Sequence, residues 1–161
     1  MSTYVKQTSL TVNITENINV NGKSYGNAQT YNFTGNGRVD QRVMEIAAGD
    51  NFTQIIDFST ADGKGRFEVN DYTYFRLTNL DDTNFIILEL TNASNLRYAV
   101  KLKTGESYLL MCPEISAAVE VGSDLVLSDI KSVKAKANTA AVYVEYLVVT
   151  KGGVSEGEDG G

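Results

Sequence analysis

The sequence predicts an all-β domain: an antiparallel β-sandwich, jelly-roll-like, of about ten short strands. Three observations carry this. Between Tyr72 and Met111 four apolar runs are separated by short polar breaks at Asp81 to Asn84, Thr91 to Asn95 and Lys103 to Glu106. That is the spacing of a four-strand antiparallel meander. Near the end of the chain, Ser132 to Ala137 and Ala141 to Val149 alternate strictly between apolar and polar residues, the period of a strand with one buried face. Turn signals recur about every 8–12 residues, as in sandwiches and barrels.

Met1 to Ser9 is polar and reads as an N-terminal arm. Leu10, Val12 and Ile14 then alternate with Thr11, Asn13 and Thr15, and Ile18 and Val20 resume the period after a slip of one step. One or two strands end here at Asn21-Gly22, a favoured tight-turn pair. Ser24 to Thr34 carries Tyr25, Tyr31 and Phe33 among polar residues, and reads as an edge strand or an ordered loop. Gly35-Asn36-Gly37 breaks it. Arg38 to Ala47 alternates again, Gly49-Asp50 is a turn, and Phe52 to Phe58 is its expected partner strand. The β-branched Ile55 and Ile56 favour strand over helix there. Ala61 to Gly65 is a loop, and Phe67 and Val69 lead into the meander.

Within the meander Thr73, Phe75 and Leu77 share one face, and Tyr72, Tyr74 and Arg76 the other. Phe85 to Leu90 is apolar on nearly both faces. Such a strand lies in the middle of two packed sheets or meets another subunit. Tyr98, Val100 and Leu102 face in, and Arg97, Lys101 and Lys103 face out. Pro113 interrupts the pattern, Glu114 to Glu120 reads as a short helix or an irregular strand, and Leu125 and Leu127 as a further short strand. Val133, Ala135 and Ala137 oppose Lys134 and Lys136, and Val142, Val144, Tyr146 and Val148 oppose Tyr143, Glu145 and Leu147. Residues 1–151 thus read as a single sandwich domain. Gly152 to Gly161, rich in glycine and acid, is expected to be disordered.

The composition narrows function mainly by exclusion. A chain of 161 residues buries roughly 70% of its unfolded surface, enough for one core. A net charge of −6 and a pI near 4.6 argue against phosphate backbones and anionic membranes as partners. There is no histidine, the commonest general base and transition-metal ligand. There is no tryptophan for stacking on sugars, although nine tyrosines remain. One cysteine, Cys112, allows no intrachain disulfide and fits synthesis in a reducing cytoplasm.

Each candidate motif has a plainer reading. Lys103-Thr104-Gly105 and Ser128 to Lys131 match the K-T-G and S-x-x-K of penicillin-binding enzymes, but in reversed order and without S-D-N. Lys103 to Glu106 is instead a hairpin turn. Asp81, Asp82 and Asn84 offer too few oxygens for calcium and read as a turn. Asp57 and Asp62-Gly63 miss the EF-hand spacing. No pair of acids is marked for glycoside hydrolysis. Cys112, with no histidine to activate it, is a packed small hydrophobe. The sequons at Asn13, Asn32, Asn51 and Asn92 are chance products of an Asn- and Thr-rich chain. Gly35 to Gly37 and Gly63 to Gly65 lack the context of a nucleotide loop. Tyr72, Tyr74 and Tyr143 form either an exposed aromatic face or cross-strand packing pairs. No catalytic, cofactor-binding or metal site is therefore expected, and the chain reads as a non-enzyme.

Two segments carry a family resemblance. One runs from Phe75 through Thr78-Asn79-Leu80-Asp81-Asp82-Thr83-Asn84 to Ile86 and continues in Tyr98 to Glu106. The other is Ile130 to Val149. Together they resemble small virion structural proteins of tailed bacteriophages, in which an L-T-N-L-D-x-T-N-F turn, an L-K-x-G-E turn and a terminal A-x-T-A-A-V-x-V-E-Y strand recur. The likeness covers about half of the chain, chiefly 72–110 and 130–150. It implies a β-sandwich that works by assembling: a capsid decoration or cement protein, trimeric on the virion surface, bridging neighbouring major capsid proteins. It would be made in the host bacterial cytoplasm and would bind neither nucleic acid nor membrane. The alternative within the resemblance is a tail, neck or fibre component that binds a receptor or glycan. The arm at Met1 to Ser9, Phe85 to Leu90 and Val142 to Val149 are the expected contact elements, with Ile87 and Leu147 at their centres.

Overall fold

The computed structural model of the chain describes residues 8–57, 72–112, 114–115 and 127–151. The expectations for Met1 to Gln7, the Ala61 to Gly65 loop with Phe67 and Val69, most of Glu114 to Glu120, Leu125 and the acidic tail lie outside the described residues. Twelve strands run in order: β1 Thr8–Thr15, β2 Ile18–Val20, β3 Lys23–Tyr25, β4 Ala28–Ile46, β5 Thr53–Asp57, β6 Tyr72–Asn79, β7 Ile86–Asn92, β8 Arg97–Leu102, β9 Ser107–Leu110, β10 Glu114–Ile115, β11 Ser128–Ala137 and β12 Val142–Lys151.

The strands form an antiparallel β-sandwich. One sheet has the order β1-β4-β12-β6-β9 and the other β10-β11-β7-β8, with β5 also paired to β11. β2 and β3 make a separate two-stranded ribbon. Taking β4-β12-β6-β9 against β5-β11-β7-β8, the strand order is that of an eight-stranded jelly roll, two Greek keys folded onto one another.

The alternation read from the sequence decides which residues meet. Phe75 and Leu77 of β6 and Val142, Val144 and Val148 of β12 face Ile86, Leu88 and Leu90 of β7 and Val133 and Ala135 of β11, all buried. Burying each large side chain contributes roughly 1.5–3 kcal/mol. β7 is central, with β11 on one side and β8 on the other. Its outer residues Ile87 and Glu89 are half-buried, which accounts for its nearly unbroken apolar character.

Four expectations are corrected. The stretch from Tyr72 to Met111 does contain four strands, but they are no meander: β6 pairs β9 and β7 pairs β8, in different sheets. Crossing between layers lets the apolar faces of β6 and β7 cover each other, which neighbours in one sheet cannot do. Lys103 to Glu106 is accordingly a crossover from β8 to β9, not a hairpin turn. β5 pairs β11 (Ser132↔Asp57, Val133↔Ile56) and not the Arg38 to Ala47 strand, because Ile56 belongs to the opposite wall of the core. Gly35 to Gly37 does not break its strand. β4 continues through it with a register shift in its pairing to β1, and Gly35 takes the left-handed φ of 77° at that bulge.

Candidate functional site

The longest element is a hairpin arm that leaves the sandwich. β4 has 19 residues, roughly 60 Å of strand. Its second half pairs β12, from Ile46↔Val142 to Asn36↔Lys151. Its first half pairs only β1, from Asn36↔Thr8 to Ala28↔Thr15. Beyond that, β2 and β3 extend the same register to the tip, Ile18↔Tyr25 and Val20↔Lys23. Asn21 and Gly22 close it with φ of 53° and 78°, the paired positive angles of a type I′ turn. Gly22 N–H donates to Asn19 Oδ1 at 3.1 Å. Gly26 is needed at the arm's waist, since a Cβ there would lie 2.0 Å from the Glu16 carbonyl oxygen.

The arm is amphipathic. Thr11 donates to Asn32 and Thr30 to Asn13, at 3.0 and 2.9 Å, making a polar ladder on one face. Leu10, Val12 and Ile14 of β1 with Tyr31 and Phe33 of β4 make the other, and Ile18, Val20 and Tyr25 keep the same alternation to the tip. At the root, the Phe33 ring sits 6.4 Å from that of Tyr74, on the outer face of the β6 sheet. Tyr74 is only 4% exposed, and burial pushes its phenol up. Towards the tip this cover ends: Ile18 is 54% exposed, Val20 50% and Tyr25 49%.

The apolar stripe does not stop at the root. Along the second half of β4 the outward residues are Val39 and Val43, both more than half exposed, with Gln41 and Glu45. Their cross-strand neighbours are Val149, Glu145, half-buried Leu147 and Tyr143, the last 56% exposed. Leu109 of β9 completes the patch next to Arg76. Arg76 Nη2 bonds Glu145 Oε1 at 2.5 Å, so these two charges within the patch pair with each other.

The outer face of the second sheet has a different chemistry. Lys134 and Lys136 of β11 and Lys101 and Arg97 of β8 flank Ile87 and Glu89. Lys101 Nζ lies 3.8 Å from the Phe85 ring centre, and Lys136 Nζ 5.0 Å from that of Phe52. An acidic chain thus carries a locally cationic face.

The motifs weighed in the sequence are spent on structure. Asp81 Oδ1 accepts from the backbone N–H groups of Thr83 and Asn84, and those bonds hold its carboxyl below the usual range. This is a turn cap. Lys103 N–H donates to Glu106 Oε2 inside the crossover. Ser128 Oγ accepts from Ser94 N–H and Lys131 Nζ donates to Asn95 Oδ1, both closing the β7–β8 turn. Among the described residues no three of His, Cys, Asp and Glu converge as metal ligands.

Of the tyrosines, Cys112 and the sequons, only Cys112 departs from its expected placement. Tyr74 is buried beneath Phe33 and apart in exposure from Tyr143, so these two do not form one aromatic face. Cys112 is exposed two residues past the end of β9, where the alternation that buries Leu110 no longer directs it inward. Asn92 is fully buried, its Oδ1 accepting from Leu96 N–H, while the sequons at Asn13, Asn32 and Asn51 are exposed. The arm itself was missed as one unit. Its signal is the mirrored alternation about Asn21-Gly22: Leu10, Val12, Ile14, Ile18 and Val20 before it, Tyr25, Tyr31 and Phe33 after it.

No family model, curated protein or solved structure matches the chain.

Proposed function

We propose that this chain is a structural subunit of a phage virion, a capsid decoration protein that forms trimers and bridges neighbouring major capsid proteins. The observation that carries the reading is the arm with its uncovered apolar face. A two-stranded ribbon is marginally stable alone in water, and large exposed apolar patches mark association surfaces. A subunit that keeps such a ribbon outside its own core has a use for it in an assembly.

The architecture agrees by analogy, since double-sheet jelly rolls recur in viral capsid domains as well as in lectins and cupins. The phage-like turns at Leu77 to Phe85 and Leu102 to Glu106 fall at the crossovers that define this jelly roll, and the A-x-T-A-A-V-x-V-E-Y segment runs from the end of β11 through the turn into the first half of β12, central to its sheet. The subunit would contribute interface area, at about 25 cal/mol per Å² of apolar surface removed from water, and no catalysis. The cationic face suits an acidic shell surface, by complementarity of charge.

The test is protein mass spectrometry of purified virions, and of their emptied heads, from the phage that encodes the chain. The expected result is a structural-protein copy number that stays with the emptied heads. Absence from the particle overturns the reading, and partition into tails selects the tail or fibre alternative.

A further inference from the structure

Resting on that assembly reading, we infer that the occupant of the outer face of the β4–β12 sheet is the arm of a second copy of this chain. The arm's distal apolar side chains, Ile18, Val20 and Tyr25, pack on Val39, Val43, Leu147 and Tyr143 of the neighbour.

The argument begins from two uncovered surfaces on one strand. Ile18, Val20 and Tyr25 lie at the end of the ribbon that β4 begins, and Val39 and Val43 lie on its second half. Continuous pairing of β4 to β1 and then to β12 holds the two regions apart. Within the chain the arm reaches the outer face at Tyr74 through Phe33, yet Val39, Val43 and Tyr143 stay more than half exposed and Ile18, Val20 and Tyr25 about half exposed, so neither surface covers the other. A second copy carries both partners at once.

Dimensions and charge agree. The ribbon from Ile14 to Val20 is about 20 Å long, and so is the strand from Val39 to Glu45. In a reciprocal pair the arm with its root and the receiving patch together supply roughly the 20–30 residues a side of a standard interface, and in a ring about half that at each contact. Glu16 and Lys23 are the only charges between Ser9 and Gly35. Lys23 lies beside Tyr25 at the tip, its Nζ 5.7 Å from the ring centre. The receiving face offers Glu45, which bonds Tyr143 and raises its phenol pKa. Arm on face is a two-part contact, so it either closes reciprocally in a pair or runs head to tail around a ring.

Two surface variants test this, each placed where the folded monomer has nothing to lose. Ile18→Asp spoils the arm and leaves the face intact. Val43→Asp spoils the face and leaves the arm intact. Sedimentation equilibrium of the wild type is expected to give a mass of two or three chains. Each variant alone should dissociate with a loss of at least about 30-fold in affinity, the scale of removing one interface anchor. An equimolar mixture of the two variants should recover a complex, because one intact arm still meets one intact face. Lys134→Asp, on the opposite sheet, should associate as the wild type does. A mixture no better than its components, or a monomeric wild type at about 100 μM, overturns the inference. If that monomer is nevertheless found in virions, the assembly reading stands and only the self-docking fails.

Discussion

The side-chain amide of Asn79, at the end of β6 in one sheet, donates to the carbonyl of Leu102, at the end of β8 in the other, at 3.3 Å. The same nitrogen also donates to the carbonyls of Asn84 and Lys103, and Asn79 Oδ1 accepts from Asp81 N–H. The Asn79 backbone pairs with Glu106 and Gly105. One fully buried side chain thus ties together the β6–β7 and β8–β9 crossovers, the two connections that turn a would-be meander into a jelly roll.

Asn79→Ala should therefore cost about 3 kcal/mol, since buried carbonyls and an amide lose their partner, while Asp82→Ala on the exposed side of the same turn should stay within about 0.5 kcal/mol. Asn79→Asp should be worse than alanine at pH 7, because it sets a buried carboxylate against carbonyl oxygens. That carboxyl's folded pKa would be raised, so the extra loss is present above the unfolded value near 4 and relieved below it. Urea unfolding at pH 7 and pH 4, each against wild type, checks both.

Much of this fold is legible in residue order, and the rest is not, for a physical reason. Alternation reports which face a side chain takes, so Val142, Val144, Tyr146 and Val148 are read correctly as one buried row. It does not report which strand lies alongside, so β6 beside β9 and β5 beside β11 stay hidden. Asn79 sits in Leu77 to Asn84, a run rich enough in Asn and Asp to signal a turn, and nothing local distinguishes the one amide that is buried. Gly35 and Gly37 signal a stop with the same residues that a bulge uses. Without β4 read as one strand across them, the arm loses its length.

Tyr146 makes the fold sensitive to alkali. Burial first, and then donation to Asp40 Oδ2 at 2.8 Å, push its phenol up to about 12. An unfolded tyrosine ionises near 10, so the unfolded chain gives up its proton first. This group's contribution is complete below pH 10 and is lost as pH rises from 10 to 12. Tyr146→Phe should cost about 1 kcal/mol at pH 7 for the missing hydrogen bond. Its stability should then fall less steeply than wild type across pH 10–12, by close to one proton. Parallel curves in denaturant titrations over that window would contradict the assignment.

Phe33 is the hinge pin of the arm. Its ring covers Tyr74, and no other aromatic pair among the described residues joins arm to sandwich. Phe33→Ala should remove about 1–2 kcal/mol of local stability, in line with a partly buried aromatic pair. Hydrogen exchange should show the loss in β1 and the first half of β4, with the amides of β7 and β12 protected as before. An equal loss in β7 would mean that the arm and the core unfold as one unit.

The tip offers a contrast between two glycines with positive φ. Gly22, at 78°, has nothing within 4 Å of where a Cβ would stand, whereas a Cβ on Gly26, at 115°, would strike the Glu16 carbonyl oxygen at 2.0 Å. Gly22→Ala therefore meets only the backbone penalty of a left-handed angle, about 1 kcal/mol. Gly26→Ala must also push the two strands of the ribbon apart, breaking the bond from Glu16 N–H to the Asn27 carbonyl. Because the waist lies outside the core, thermal unfolding of the sandwich should barely change in either variant. The tip amides of β2 and β3 should lose exchange protection strongly in Gly26→Ala and weakly in Gly22→Ala. If arm-on-face docking holds, self-association should weaken in the same order, since a splayed ribbon no longer presents Ile18, Val20 and Tyr25 on one face.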